Sequence, residues 1–320
     1  MPHPALRRRL AAYLATALMA AAGMACLPAA ASPSAGSSMA FCQPGPTQSA
    51  ATQDRILQLA SAVRAAVSAS GARIALIGRS GLSLERFGLR YSHAGVLLAD
   101  GTDVPWSVRQ LYYDCDEGRP RLFDQGLAGF LLSADAPGAA HVSLVLLPAG
   151  QADALRTTAL HKPLAQRLLA ATYSANAYPF STLYQNCNQW VAELMAAAWG
   201  QLPDAPDLRQ QAQHWLRAAG YTPTRVNIGS HLTKLAASLM PLIHLNDHPE
   251  DDQLGLMQDI SLPDALEAFA RQQAPGAQRL AFCLDGEKIV TRHGWQPLPP
   301  DTPEGLCVAE AGDTVQPLRP

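Results

Sequence analysis

The stretch YQNCNQWVAE, residues 184–193, sets one cysteine between two asparagines directly before a run with helical periodicity. Asn186 is a favoured helix N-cap residue, and Gln189 stands three positions on. That is the spacing of a capping box, in which each side chain satisfies a backbone N–H of the other. The spacing predicts a helix that begins at Cys187. Its apolar residues Trp190, Val191, Leu194, Met195 and Ala198 share one face, and Cys187 falls on that face, so its thiol is expected to point into the body of the protein. A thiol in the first turn feels the positive end of the helix dipole and the unpaired N–H groups there, which favour thiolate over thiol. The same N–H groups can donate to an oxyanion as an acyl carbon is attacked. A small buried cysteine that merely packs fits the local sequence as well, so the chemistry depends on a base elsewhere in the chain.

The rest of the composition narrows the class. With 320 residues, 48% hydrophobic and 16% charged, the chain has enough apolar surface for one large or two small globular domains. The 24 basic and 26 acidic side chains are spread along it for a net charge of -2, with Arg7-Arg8-Arg9 as the basic run. No nucleic-acid surface is expected. That run precedes apolar Leu10 to Leu27 and then Ala29-Ala30-Ala31-Ser32, the layout of a secretory signal peptide cleaved after Ala31. An uncleaved anchor is the alternative, although the alanine-rich stretch is weakly apolar for a spanning helix of about 20 residues. A periplasmic location follows, with no membrane association required. Export makes disulfides admissible. Loss of Cys26 leaves Cys42, Cys115, Cys187, Cys283 and Cys307, an odd number, so a monomer keeps at least one free thiol. Cys283 with Cys307 is the plausible near pair, and Cys42 with Cys115 the other.

Along the mature chain, residues 32–52 are a small, polar, flexible lead-in. From Gln53 to Ala69 the residues Ile56, Leu59, Ala60, Val63 and Val67 recur at helical spacing up to Gly71. RIALIGRSG reads as a strand, YSHAGVLLADG as a second closing at Asp100-Gly101, and VPWSVRQLYY as its antiparallel partner. AHVSLVLLPAG is another strand. Helices are expected from Asp153 to Tyr173, from Leu208 to Ala219 and from Leu262 to Gln272, and RLAFCLD with KIVTRHG closes the chain as a hairpin. The expected division is residues 53–225 as the main domain and residues 226–320 as a smaller extension.

His93, in YSHAGVLL, is the best-placed base among the nine histidines, because it opens an apolar strand. RYSHAGVLL followed some ninety residues later by YQNCNQWVAE resembles the circularly permuted branch of the NlpC-type, papain-like cysteine hydrolases, in which a histidine strand precedes a cysteine helix and to which lecithin retinol acyltransferase belongs. More closely, GRSGLSLERFGLRYSHAGV, YPFSTLYQNCNQWVAE, WLRAAGYTP and LNDHP are similar to the bacterial family called domain of unknown function 2145. The wider resemblance implies an α+β, circularly permuted papain-like core with a small C-terminal extension, Cys187 as nucleophile, His93 as general base and no cofactor. It also implies a polar residue on the next strand that orients the imidazole. If Leu98 turns through Asp100-Gly101 and pairs near Val104, His93 faces about position 109. Gln110 can then accept the imidazole N–H, Ser107 is a weaker option, and Arg109 cannot.

Other constellations are read as structural. HLNDHPEDD offers His244, Asp247, His248, Asp251 and Asp252, but Asn246 and Pro249 interrupt the helix that a His-x-x-x-His metal site needs. GRSGL is one residue short of a nucleophile elbow, and DCDEG is an acidic turn. Arg79 and Arg90 flank the histidine strand and could hold an anionic group of a substrate or pair with Glu85, the pairing being the expected reading. Tyr178 and Tyr184, in a proline-bearing loop ahead of the cysteine, are candidate walls of a substrate groove. The expected activity is thiol-dependent hydrolysis or acyl transfer on an amide or ester, from a cell-wall peptide or a lipid-like substrate. The competing expectation is a non-catalytic envelope binding module on the same fold.

Overall fold

In the computed structural model, residue 42 and residues 48–81, 84, 87–100, 105–132 and 139–319 are described. The expected signal peptide lies outside them. All but Cys42 belong to a single unit, Pro44–Pro320. Helix α1 is Ala50–Ala69. It starts three residues before the apolar pattern because Ser49 Oγ accepts the N–H of Thr52 at 3.1 Å, so the end of the expected lead-in is helical. Strands β1 (Ile74–Arg79), β2 (His93–Leu98), β3 (Ser107–Asp114) and β4 (Arg119–Gly126) follow, then α2 (Leu127–Leu132) and β5 (Ala140–Leu146). The helix expected from Asp153 to Tyr173 is two, α3 (Ala149–Leu160) and α4 (Lys162–Arg167). Pro163 cannot continue the first helix but suits the opening turn of the second. The cysteine helix is α5 (Cys187–Trp199), followed by α6 (Leu208–Ala218), β6 (Thr224–Asn227), α7 (His231–Ser238), α8 (Glu250–Leu254) and β7 (Met257–Ile260). The chain closes with α9 (Pro263–Gln273), β8 (Gln278–Leu284), β9 (Lys288–His293) and β10 (Thr314–Pro317).

Eight strands form one antiparallel sheet in the order β10-β9-β8-β5-β1-β2-β3-β4, and β6 pairs with β7 separately. The C-terminal hairpin is therefore not an appendage: β8 lies against β5 along seven residue pairs, and the expected boundary at residue 225 falls inside one unit. Both faces of the sheet are covered. Leu76, Ala94, Val96, Leu98, Leu111 and Val145 pack under α3, α5, α6 and α9, with Trp190, Leu194, Met195 and Phe269 at the centre. Ala75, Ile77, Leu97, Val108, Leu144 and Phe282 pack under α1 and α2 against Leu59, Val63 and Phe130. This double cover explains why β1 reads as an unbroken buried run rather than alternating with polar residues. The result is a mixed α+β fold on a large antiparallel sheet. Among the described residues no helix is long and apolar enough to cross a membrane.

The β2–β3 connection is longer than a tight turn at Asp100-Gly101 allows. Leu98 pairs with Ser107, Leu97 with Val108 and Val96 with Arg109. Continued, that register sets His93 across from Tyr112, three positions beyond the expected partner, and Gly95 across from Gln110. Gly95 is required there by close approach: a Cβ on it would lie 2.6 Å from Val108 Cγ1 and 2.8 Å from the Arg109 carbonyl oxygen.

Candidate functional site

Helix α5 begins where its sequence places it. Asn186, extended at φ -106° and ψ 175°, accepts the N–H of Gln189 on Oδ1 at 2.7 Å. The reciprocal half of the capping box is absent. Gln189 Nε2 donates to the Ser181 carbonyl at 3.2 Å and to Glu193 Oε1 at 3.2 Å, which turns the side chain away from the Asn186 N–H and leaves Oε1 buried without a partner. Glu193 is fully enclosed. It collects Gln185 Nε2 at 2.6 Å, Gln213 Nε2 at 2.8 Å, and Arg209 through Nε at 2.8 Å and Nη2 at 3.0 Å. This network ties the first turns of α5 to α6 and to the strand-like approach at residue 185. The acid within the apolar run WVAELM is its sequence signal.

Two more tethers hold the helix start. Asn186 Nδ2 donates to the carbonyls of Ala175 at 3.2 Å and Ser261 at 3.3 Å, and Asn188 Nδ2 donates to the Ser92 carbonyl at 3.2 Å. Cys187 is buried and is the free cysteine among the described residues. Cys283 is bridged to Cys307, and Cys42 and Cys115 are both disulfide-bonded. The thiol lies against backbone N–H donors of Ala94, Asn188 and Cys187 itself. Ala94 directly follows His93 on β2, so the thiol meets the strand one residue past the imidazole.

The imidazole is oriented from below. His93 Nε2 meets Gln110 Oε1 at 2.5 Å, and Gln110 Nε2 donates to Gln125 Oε1 at 2.8 Å. Gln125 on β4 was not anticipated. The ring packs against Tyr112 and Phe130, with centroids at 5.3 Å and 5.8 Å. Nδ1 makes no hydrogen bond, and among the described residues none joins Cys187 to His93. Strand alternation explains this: His93 projects with Gly95 and Leu97 toward α2, whereas Ala94 faces α5.

Electrostatics reverse the expectation of a thiolate. Burial pushes the Cys187 thiol up to about 11, overriding the helix-terminal N–H groups and the Arg79 charge that pull it down. Burial also brings His93 down to about 3, helped by Arg79 and opposed by the Gln110 hydrogen bond. The resting couple is therefore a neutral thiol and a neutral imidazole. Tyr173 joins the same environment: burial holds its hydroxyl well above the usual range, with Cys187 and Tyr112 near enough to add to the effect. Its backbone bridges to Gln185, and no sequence feature had marked it.

Other candidates fall elsewhere. Tyr184 stacks on His244 at 4.4 Å, and Tyr178 packs against His248 at 5.6 Å, so both brace the 244–248 loop. In that loop His248 joins Asp252 Oδ2 at 3.1 Å and the Asn176 carbonyl at 2.7 Å, a clip rather than a ligand set. Arg90 donates to the carbonyls of Leu298 and Pro299. Arg79 lies over the Phe130 ring at 5.1 Å. Their expected partner Glu85 lies outside the described residues.

No curated protein and no solved structure matches the chain. The family described as "Uncharacterized protein conserved in bacteria (DUF2145)" matches residues 66–270, which include His93, Gln110, Gln125, Tyr173 and Cys187. That match spans more than half of the sequence, so this protein belongs to the bacterial DUF2145 family.

Proposed function

We propose that Cys187 carries out thiol-dependent acyl chemistry on an amide or ester, in a permuted papain-like core exported to the periplasm. The observation that supports this reading is the helix start itself: a free thiol on a capped first turn with backbone N–H groups around it, beside the strand that carries His93, whose Nε2 is occupied by Gln110. Cys187 Sγ attacks the carbonyl carbon as its proton passes to His93, whose ring must turn from the α2 face of β2 to receive it. The helix-start and Ala94 N–H groups, with the Tyr173 hydroxyl, hold the oxyanion. His93 then protonates the leaving amine or alcohol, and water or a second acceptor releases the thioester. The magnitudes favour attack concerted with proton transfer. With the thiol at about 11 and the imidazole at about 3, a separate ion pair lies about 11 kcal/mol uphill at 1.36 kcal/mol per unit. Cell-wall peptide is the first substrate class, and lipid-like amides or esters the second.

A second reading, a binding module on this fold, is favoured by the missing Cys187–His93 hydrogen bond. The two separate in a labelling experiment on the non-reduced protein with iodoacetamide from pH 5 to 11, Cys187 being located by peptide mass. Base-assisted chemistry expects His93→Ala to slow Cys187 labelling at neutral pH at least tenfold. Labelling indifferent to His93, rising only toward pH 11 as for an unassisted buried thiol, would sink the hydrolase and leave the module.

A further inference from the structure

A second cluster, away from Cys187, lies where the C-terminal hairpin joins the sheet. His141 on β5 and Cys283 on β8 are directly paired across the ladder, so their side chains stand on one face. The strap after β9 brings Asp301 and Cys307 onto them. His141 Nε2 meets Asp301 Oδ2 at 2.8 Å, and Cys283 Sγ lies 4.0 Å from His141 Nε2 and 3.8 Å from Asp301 Oδ1. Cys307 sits beside Cys283 as its disulfide partner. His141, Cys283 and Cys307 are buried, and Asp301 is partly open. His141 Nδ1 is buried without a hydrogen-bond partner.

We propose that the dithiol form of this protein holds one zinc-like divalent cation on Cys283, Cys307, His141 and Asp301, the disulfide and the metal being alternative closures of the same corner. Zn–S of about 2.3 Å with Zn–N and Zn–O of about 2.0–2.2 Å puts the edges of a tetrahedron at about 3.4–3.8 Å. The three separations in the bridged form lie within roughly 0.6 Å of those edges. Small shifts suffice for His141, Cys283 and Asp301, and the Cys307 sulfur swings away from Cys283 once the bridge opens. Two thiolates and one imidazole with one carboxylate are a donor set that suits zinc over magnesium or calcium. A route in exists: His141 and Asp301 line a cavity of about 510 Å³ that Arg90 and Asp264 also line. The Arg90 charge, which already stabilises the Asp301 carboxylate, partly offsets the residual negative charge of the loaded site. The chemistry balances with a dithiol reductant. Two electrons and two protons pass from the reductant to the Cys283–Cys307 bridge, the reductant leaves as its own disulfide, and metal binding then releases the two thiol protons. The bridged form holds no thiolate and takes no metal. Three of the four ligands lie within the C-terminal 50 residues or so, and Cys283, Asp301 and Cys307 all fall beyond the family match at residue 270.

The test uses the full chain carrying Cys187→Ser, Cys42→Ser and Cys115→Ser, so that no thiol outside this corner plays a part after reduction. It is reduced with a phosphine and titrated with cobalt(II), whose thiolate charge-transfer band reports sulfur ligation, and zinc is counted by elemental mass spectrometry after gel filtration. The expectation is one metal per chain after reduction and none before it, with His141→Ala and Asp301→Asn each weakening affinity at least tenfold. Cys307→Ser provides a second test in which Cys283 is unbridged without any reductant. That variant, checked for its fold by circular dichroism, is expected to bind through the three remaining ligands more weakly. Binding that ignores His141→Ala and Asp301→Asn, or folded unbridged protein that takes up no metal, overturns the proposal.

Discussion

Replacing Glu193 by alanine probes the support beneath the cysteine more directly than any change at the cysteine itself. Its carboxylate is fully enclosed and receives Arg209, Gln185, Gln189 and Gln213 at 2.6–3.2 Å. Alanine leaves the Arg209 guanidinium, itself mostly buried, without its counter-charge. Breaking a buried pair from one side costs about 3–5 kcal/mol, the upper end applying because three amide donors lose an acceptor too. At roughly 2–4 °C per kcal/mol for a unit of about this size, melting falls by some 6–20 °C. Urea unfolding of the disulfide-intact protein, followed by tryptophan fluorescence, measures the free energy. The double variant Glu193→Met with Arg209→Met removes both charges and is expected to lose less than Glu193→Ala alone, since no uncompensated ion remains. If the single variant loses under about 1 kcal/mol, or the double variant loses as much as the single, the buried ion pair is not what anchors this helix start.

Gly95→Ala forces a methyl group against the Arg109 carbonyl and Val108. A loss of about 1–3 kcal/mol is expected, read as a lower urea midpoint, and a neutral result would show that β3 can move away freely. For pH, His93 titrates near 3 in the folded protein and near 6.5 when unfolded. The unfolded chain therefore binds the proton first as pH falls. The stability that the neutral ring contributes is intact above about 6.5 and is lost toward pH 3, at up to about 1.4 kcal/mol per pH unit. His93→Gln is expected to flatten that limb of the urea-midpoint profile, and an unchanged slope between pH 6 and 4 would refute it.

Much of this protein was written locally. Asn186 with the apolar stripe of Trp190 to Ala198 announces a capped helix starting at Cys187, because caps and 3.6-residue periodicity act within a few residues. The strand at His93 and the Cys283–Cys307 bridge were legible for similar reasons. The capping box was half wrong because Gln189 Nε2 turns to Glu193 and carries Oε1 away from the Asn186 N–H, and the enclosure of Glu193 depends on α6 folding back with Arg209 and Gln213. The C-terminal hairpin looked like an extension because nothing in its sequence says that β8 will lie beside β5. Sheet order is set by packing between segments more than a hundred residues apart.

The amino-acid sequence by itself marked the candidates, a cysteine at a helix start and a histidine opening a strand, whereas the Gln110 contact comes from a register three positions beyond the expected one. Only the tertiary structure decided their state. The sequence places the thiol in the field of a helix dipole and predicts a thiolate. The fold buries it between the sheet and the helix layer of α3, α5, α6 and α9, and desolvation of an anion there outweighs a few N–H dipoles. Ionisation depends on every atom near the group, and chain neighbours are the smaller part of those atoms.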